Sequence, residues 1–542
     1  MNNRKYMLWL PLTAAIFLIA GIALGSYIST TDTNLGARHK LNQVFDIISE
    51  NYVDEVSADS LVEMALPELL KNLDPHSAYI PRSERVAVNR DLEGSFFGIG
   101  IQFQMMNDTL YVLEVISGGA AEEAGMLAGD RIIAVDGDNI AGVGVNENDI
   151  FSRLRGPEGT PVEVTVARHN SPKPLVFDLV RSQVPVSPID ASYMINDSVG
   201  FVRLSKFSDN TFVEALTTFS QLKHLGATSF ILDLRGNGGG YMAPAVLVAN
   251  EFLGPQDIVV STRGRSMGDN RTLFADGSGT FRSEKLVVLV DEFSASSSEI
   301  LSGAIQDNDR GLIVGRRTFG KGLVQQPFEL PDSSEFRLTV QRYYTPSGRC
   351  IQKKYTPGHR SDYDIEVYDR YNRGEIFSAD SIPVDSAEIF TTRSGRKVYG
   401  GGGIIPDIFV PSDTTGVTSY FIKVANAGLL RKFAYEYADL NRDRLNESEN
   451  AAEMLSKLPS DYVLLQSFVN YANTKGGIAP RWYYINISAP LIVNQIKALI
   501  ARDILGLDGY FEVVNANDPV VQEALKQLRN GGADFPLTDK HD

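Results

Sequence analysis

The chain has 542 residues, 43% hydrophobic and 22% charged, with a formal net charge of −16. That balance is ordinary for a folded protein, and the length predicts several domains. The acidic excess argues against a nucleic-acid partner, which needs a basic face, and the single cysteine, Cys350, excludes an internal disulfide.

The N-terminus is basic at Arg4 and Lys5, then runs without a charge from Met7 to Ile28. As a helix that run spans roughly 33 Å, enough for a bilayer core. Its length predicts an uncleaved single-pass anchor, residues 1–34 with their linker, rather than a signal peptide. The positive-inside tendency leaves Arg4 and Lys5 in the cytoplasm. The rest of the chain then faces the periplasmic side of a cell inner membrane. Residues 35–94 carry helical apolar spacing at Leu41, Val44, Phe45 and Ile48, then at Leu61, Met64, Leu66, Leu69 and Leu70. "DPHSAYIPRSE" interrupts that pattern at Pro75 and Pro81.

Residues 95–184 predict a compact module of five or six strands and two helices. Residues 185–412 predict an α/β domain. "ATSFILD" and "KLVVLV" are continuous apolar strands that alternate with helices, as in a covered, largely parallel sheet. A polar, tyrosine-rich insertion falls near 353–399. Residues 413–542 predict a helical C-terminal extension, with Leu491, Ile492, Ile496, Leu499, Ile500 and Ile504 on one helix face.

"DEFSASSSEI", residues 291–300, sits where an apolar strand passes into a helix. A serine there lies beside free helix N–H groups, which favour a developing oxyanion. The same serine is a good helix cap, and Glu299 three residues after Ser296 fits a capping box. No histidine is near. In "TFGKGLVQQ" Lys321 lies between two glycines at the start of an apolar strand. Buried there, its amine loses solvation and its pKa falls, so it can take a proton; exposed, it is an ordinary surface lysine. Gln325, four residues on, shares a strand face with Lys321 and can orient the amine. "DLRGNGGG" ends a buried strand in glycines. It reads either as a flexible turn or as a source of bare N–H groups, with Gly239 and Ser297 as oxyanion donors. No Gly-Lys-Ser/Thr follows, so it is not a phosphate loop.

"GNGGG", "SASSSEILSGAIQD", "GRRTFGKGLVQQ", "YYTPSGRCIQ" and "GGGGIIPD" occur in that order. Together they make residues 38–412 resemble the carboxyl-terminal processing peptidases, or tail-specific proteases. "FFGIGIQF", "SGGAAEEAGMLAGDRIIAVDG" and "LRGPEGTPVEVTVAR" resemble the PDZ domain of that family. The resemblance implies a ClpP/crotonase-like α/β protease core with an inserted, mainly β PDZ domain. It implies a Ser/Lys dyad assisted by glutamine, carried by Ser296, Lys321 and Gln325. One departure is "Asn-Gly-Gly-Gly" at 237–240, where the family often has "Asn-Pro-Gly-Gly". Phe97, Gly98, Ile99 and Gly100 would form the loop that holds a peptide carboxylate on backbone amides.

The implied function is a membrane-anchored serine endopeptidase that takes protein substrates by accessible C-terminal tails. No cofactor is implied, and nothing has metal-ligand spacing. A homo-oligomer stays open as a partner. The rival is a non-catalytic PDZ adaptor on a decayed protease core, against which the retained Ser, Lys and Gln argue. A histidine-dependent protease finds no matching motif around the six histidines. The module's place ahead of the core further predicts a gate over the active site.

Overall fold

A computed structural model describes residues 34–533 apart from 107, 170 and 385–387. The apolar run Met7–Ile28 therefore lies outside the described residues. The chain divides into two compact units between Leu73 and Asp74. The described part of the first contains two helices, Asn34–Asn51 and Ala58–Leu70, as the spacing predicts. Ser57 caps the second by accepting the Ser60 N–H.

The second unit is built on a six-stranded sheet. Its strands run in the order Ile189–Asn196, Val199–Leu204, Ser229–Asp233, Lys285–Val290, Leu312–Gly315 and Ile408–Phe409. The first pair is antiparallel and the others are parallel. The middle strands carry continuous apolar runs, Phe230–Leu232 and Leu286–Val290, because both faces are covered. Phe230, Leu232, Leu286, Val288 and Val290 pack on one side with Phe219, Ala245 and Leu301, from helices Thr211–His224, Met242–Asn250 and Ser297–Asp307. The alternate residues Ile231, Val287, Leu289 and Val314 pack on the other side.

That second face is covered by the far end of the chain. Val520, Val521, Ala524 and Leu528 of helix Pro519–Arg529 lie against it. Burying each valine or leucine contributes about 1.5–3 kcal/mol. The helical extension is therefore partly a layer of the core. Asp518 caps this last helix through the Val520 and Val521 N–H groups, at 2.8 and 3.1 Å. Its other oxygen accepts Arg235 Nη1 at 2.7 Å, and Arg235 in turn grips Asp233 at the end of a core strand.

A second, antiparallel sheet contains Ala78–Ile80, Glu335–Tyr344, Ile258–Gly264 and Arg271–Phe274, with Leu323–Glu329 also paired to Glu335–Tyr344. The β-rich module has strands Ile101–Met106, Thr109–Val115, Arg131–Val135, Asp138–Asn139, Pro161–Ala167 and Leu175–Val180. It adds helices Ala120–Glu123 and Glu147–Leu154 around its own core. The short pair Ser95–Gly98 and Ser182–Pro185 joins it to the α/β domain.

Helices fill most of 419–529. Among the described residues, only Trp482–Asn515 is long and apolar enough to cross a membrane. Half of its apolar window is buried, and Ile485, Ile492, Ile496 and Ile500 pack with Phe433, Leu464 and Phe468. It is the central helix of this bundle.

Candidate active site

The strand Lys285–Val290 ends in a turn stitched to the neighbouring glycine loop. Asp291 Oδ1 accepts the N–H groups of Phe293, Ser294 and Gly236 at 2.9–3.1 Å. Ser294 Oγ donates to Leu234 O, Ser297 Oγ to Gly240 O and Ser298 Oγ to Asn237 O. Three of the four clustered serines are thus committed to backbone carbonyls. Ser296 is only partly buried and starts the helix at φ 54°, ψ −112°. A non-glycine residue in that region stores roughly 1–3 kcal/mol, a strain characteristic of functional turns. Gly239, at φ +100°, passes so close that an added Cβ would sit 2.7 Å from Ser296 Cβ.

Ser296 and Lys321 line one cavity of about 490 Å³, together with Gly239, Ser297, Gln325 and Tyr343. Burial is the main force lowering the Lys321 pKa, aided by Arg337; Glu299 and Asp74 pull it upward. Two side chains join the serine and lysine loops. Glu299, fully buried, accepts the Ser296 N–H at 2.9 Å and the Lys321 N–H at 2.8 Å on Oε2. Its Oε1 accepts Gly320 N–H and Thr318 Oγ1. Burial outweighs these four bonds and raises the carboxyl to about 7. Tyr343 Oη donates toward Lys321 O at 2.7 Å and Ser296 O at 3.1 Å. The capping-box pattern anticipates the first Glu299 bond; its hold on Lys321 was not legible.

Gln325 lines the same cavity, but not by simple strand alternation. Lys321 precedes the strand Leu323–Glu329, and a register shift between Val324 and Gln325 resets the faces. Gln325 instead sits opposite Thr339, and its Nε2 donates to Thr339 Oγ1 at 3.3 Å. Of the expected oxyanion pair, one donor is already engaged. The Gly239 N–H donates to Asn237 Oδ1 at 2.8 Å, so this state does not offer it to a substrate. The Ser297 N–H belongs to the first turn of its helix, where intrahelical partners do not exist.

The inserted segment near 353–399 turns back onto the lysine loop. Arg370, from helix Arg360–Asn372, donates to the carbonyls of Arg317, Thr318 and Phe319 at 2.8–3.3 Å. Gln352 Oε1 accepts the Gly322 N–H. Lys353 is also buried, and burial lowers its pKa to about 8, but its Nζ bonds Tyr363 O and Glu366 and stacks on Phe319 and Tyr363. It does not line the cavity with Ser296. His76 lies in no catalytic motif of the sequence. Its Nε2 bonds Tyr363 Oη at 2.9 Å, and burial, then the Lys321 charge, lower its pKa to about 3.

In the β-rich module Ile101–Met106 is an edge strand. Phe103 on it meets Phe151 of helix Glu147–Leu154, centroids 4.8 Å apart. Phe97 and Gly98 lie in the short strand paired with Ser182–Pro185, so they are not part of a free loop. Ile99 is 2% exposed, and its carbonyl accepts the Ala121 N–H. Gly100, at φ +84°, packs on Gly119 Cα, where a side chain would not fit. Among the described residues no cluster of three or more His, Cys, Asp or Glu side chains could hold a metal.

The α/β core with a serine turn and partly buried lysine, and the β-rich module, define a serine peptidase with a peptide-binding domain. Models of peptidase family S41 match residues 198–367, of a PDZ domain 111–168, and of the activating protease CtpB N-terminal domain 25–83. A family of unknown function matches 420–506. A carboxy-terminal-processing protease of Bartonella bacilliformis is 33% identical over 380 residues, covering 67% of this chain and 86% of the relative. A carboxyl-terminal-processing protease of Synechocystis is 36% identical over 295 residues, covering 53% and 68%. The solved structure of a photosystem II D1 C-terminal processing protease is 31% identical, covers 57% of this chain and 89% of its own, and has a TM-score of 0.32. The chain belongs to the carboxy-terminal-processing peptidase family, and it is a C-terminal processing serine protease with a PDZ domain.

Proposed function

We propose that Ser296 is the nucleophile and Lys321 the base of this peptidase. One observation carries the assignment: both line a single cavity, and one buried carboxylate, Glu299, holds the backbone N–H of each. Ser296 Oγ attacks the scissile carbonyl as the neutral Lys321 amine takes its proton, then returns it to the leaving amine. Gln325 orients the amine. The Ser297 N–H stabilises the oxyanion, with the Gly239 N–H joining it once released from Asn237.

The PDZ groove between Ile101–Met106 and Glu147–Leu154 takes the substrate's C-terminal tail as an added strand, with the backbone amides of Ile99 and Gly100 on its carboxylate. The run Met7–Ile28 anchors the chain in the inner membrane with these domains on the periplasmic side. The test is cleavage of a tailed protein substrate by the purified chain and by Ser296→Ala. Loss of several orders of magnitude in a folded variant supports the assignment. Near-normal cleavage moves the nucleophile elsewhere, and an inactive parent favours the adaptor reading.

A further inference from the structure

The turn Asp74–Ser77 supplies no reacting group, yet it reaches Gln325. Locally it is an aspartate-closed turn: Asp74 Oδ1 accepts the N–H of His76 and of Ser77, each at 2.9 Å, and Oδ2 accepts Ser77 Oγ. Local closure would account for Asp74 if its contacts ended there. They do not. The turn feeds strand Ala78–Ile80, which pairs antiparallel with Glu335–Tyr344 and so brings the turn beside Thr339. Thr339 Oγ1 donates to Asp74 Oδ1 at 2.9 Å, and the Thr339 N–H donates to Ser77 Oγ at 3.1 Å.

The direction of these bonds matters. A hydroxyl has one proton, and a carboxylate only accepts. Asp74 stays ionised: burial pushes its carboxyl up, but the bonds from Ser77, His76 and Thr339 outweigh that and hold it below the usual range. The Thr339 proton is therefore committed, and toward Gln325 its oxygen can only accept. Gln325 must present Nε2 to Thr339, as it does at 3.3 Å, which leaves Oε1 on the other branch of the amide. An Oε1 facing Lys321 accepts an N–H from the amine and leaves its lone pair for the Ser296 proton. An Nε2 in that place would donate to the lone pair and occupy it.

We propose that Asp74, acting through Thr339, is a positioning residue that fixes the orientation of the Gln325 carboxamide and with it the usable lone pair of Lys321. The proposal rests on Lys321 being the base and Gln325 its orienting partner. Asp74→Asn keeps the shape and an acceptor for the turn amides. Its neutral Oδ1, which faces the turn amides and Thr339 together, is a weaker acceptor than the carboxylate, so the Thr339 proton is held less firmly, can turn toward Gln325 and lets the carboxamide flip.

The experiment measures kcat and KM of the full chain on one tailed substrate, with folding of each variant followed by thermal melting. Asp74→Asn and Thr339→Val should each lower kcat about tenfold or more, with KM changed less than about twofold. Thr339→Ser should recover what Thr339→Val loses. In a Gln325→Ala background Asp74→Asn should cost nothing further, because both act on one group. Full activity of Asp74→Asn, a loss confined to KM, or multiplying losses in the double variant would overturn the proposal. Should Asp74→Asn fail to fold, the Thr339 pair carries the test, and equal activities of Val and Ser overturn it. A fully active Gln325→Ala removes the role of Gln325 itself, and the proposal with it.

Discussion

Glu299→Gln should make the fold less sensitive to pH while disabling the site. The carboxylate spreads four donors over two oxygens, two on each. A glutamine of the same shape puts an NH₂ group against one of those pairs. Each buried donor left without a partner costs about 1–3 kcal/mol. The ionised carboxylate carries its own cost. Its pKa rises from 4.5 to about 7 on folding, so the native state holds the extra proton between those values. The sign follows: this group's contribution to stability is greatest in acid and declines as pH rises from 4.5 through about 7. Linkage gives a loss of roughly 2–3 kcal/mol between pH 5 and pH 8. Urea unfolding at both pH values should show the parent losing that amount relative to Glu299→Gln. Cleavage should move the other way. The parent gains activity as Glu299 ionises, whereas the glutamine variant should stay at least about a hundredfold slower at pH 8, roughly 3 kcal/mol. Parallel pH–stability curves, or a glutamine variant within twofold of the parent at pH 8, would refute the reasoning.

Lys321→Arg should be nearly as inactive as Lys321→Ala, since arginine keeps the charge but does not release a proton. The parent's pH–rate profile should fall as pH drops through a base titrating below the ordinary lysine value of 10.5, because protonation removes the base. Tyr343→Phe removes the hydroxyl joining Ser296 O and Lys321 O; it should lower melting stability by about 1–3 kcal/mol and reduce kcat about tenfold. Excising 95–184 is feasible because Ser95 pairs with Pro185 and the Val186 N–H bonds Gly94 O, so the cut ends meet. If the PDZ domain gates the site, the excised enzyme should cut a short tail-less peptide faster than the parent; an unchanged rate leaves only a tether.

The catalytic candidates were legible because each sits in a short segment whose neighbours serve it. Ser296 follows an apolar strand, and Lys321 is flanked by glycines that let it into the interior. The parallel core sheet was legible because strands covered on both sides read as near-continuous apolar runs. What joins these parts was not. Glu299 reaches Lys321 across 22 residues, and Arg370 reaches the Thr318 carbonyl across 52, contacts that only the tertiary fold creates. The bulge beside Gln325 broke the alternation that a strand reading assumes. The Gly239 amide looked free because nothing in a glycine run shows that Asn237 folds back onto it. The last helix read as an extension because its partner strands lie more than two hundred residues earlier, yet it packs onto one face of the core sheet.

The central claim is that Ser296 is activated by Lys321. Its most direct test is covalent labelling of the full chain by a serine-directed phosphonate, with the modified peptide identified by mass spectrometry across a pH series. The account predicts one adduct, on Ser296, formed faster as pH rises and abolished by Lys321→Arg. An adduct on another serine, or labelling of Ser296 that persists undiminished in Lys321→Arg, would contradict it.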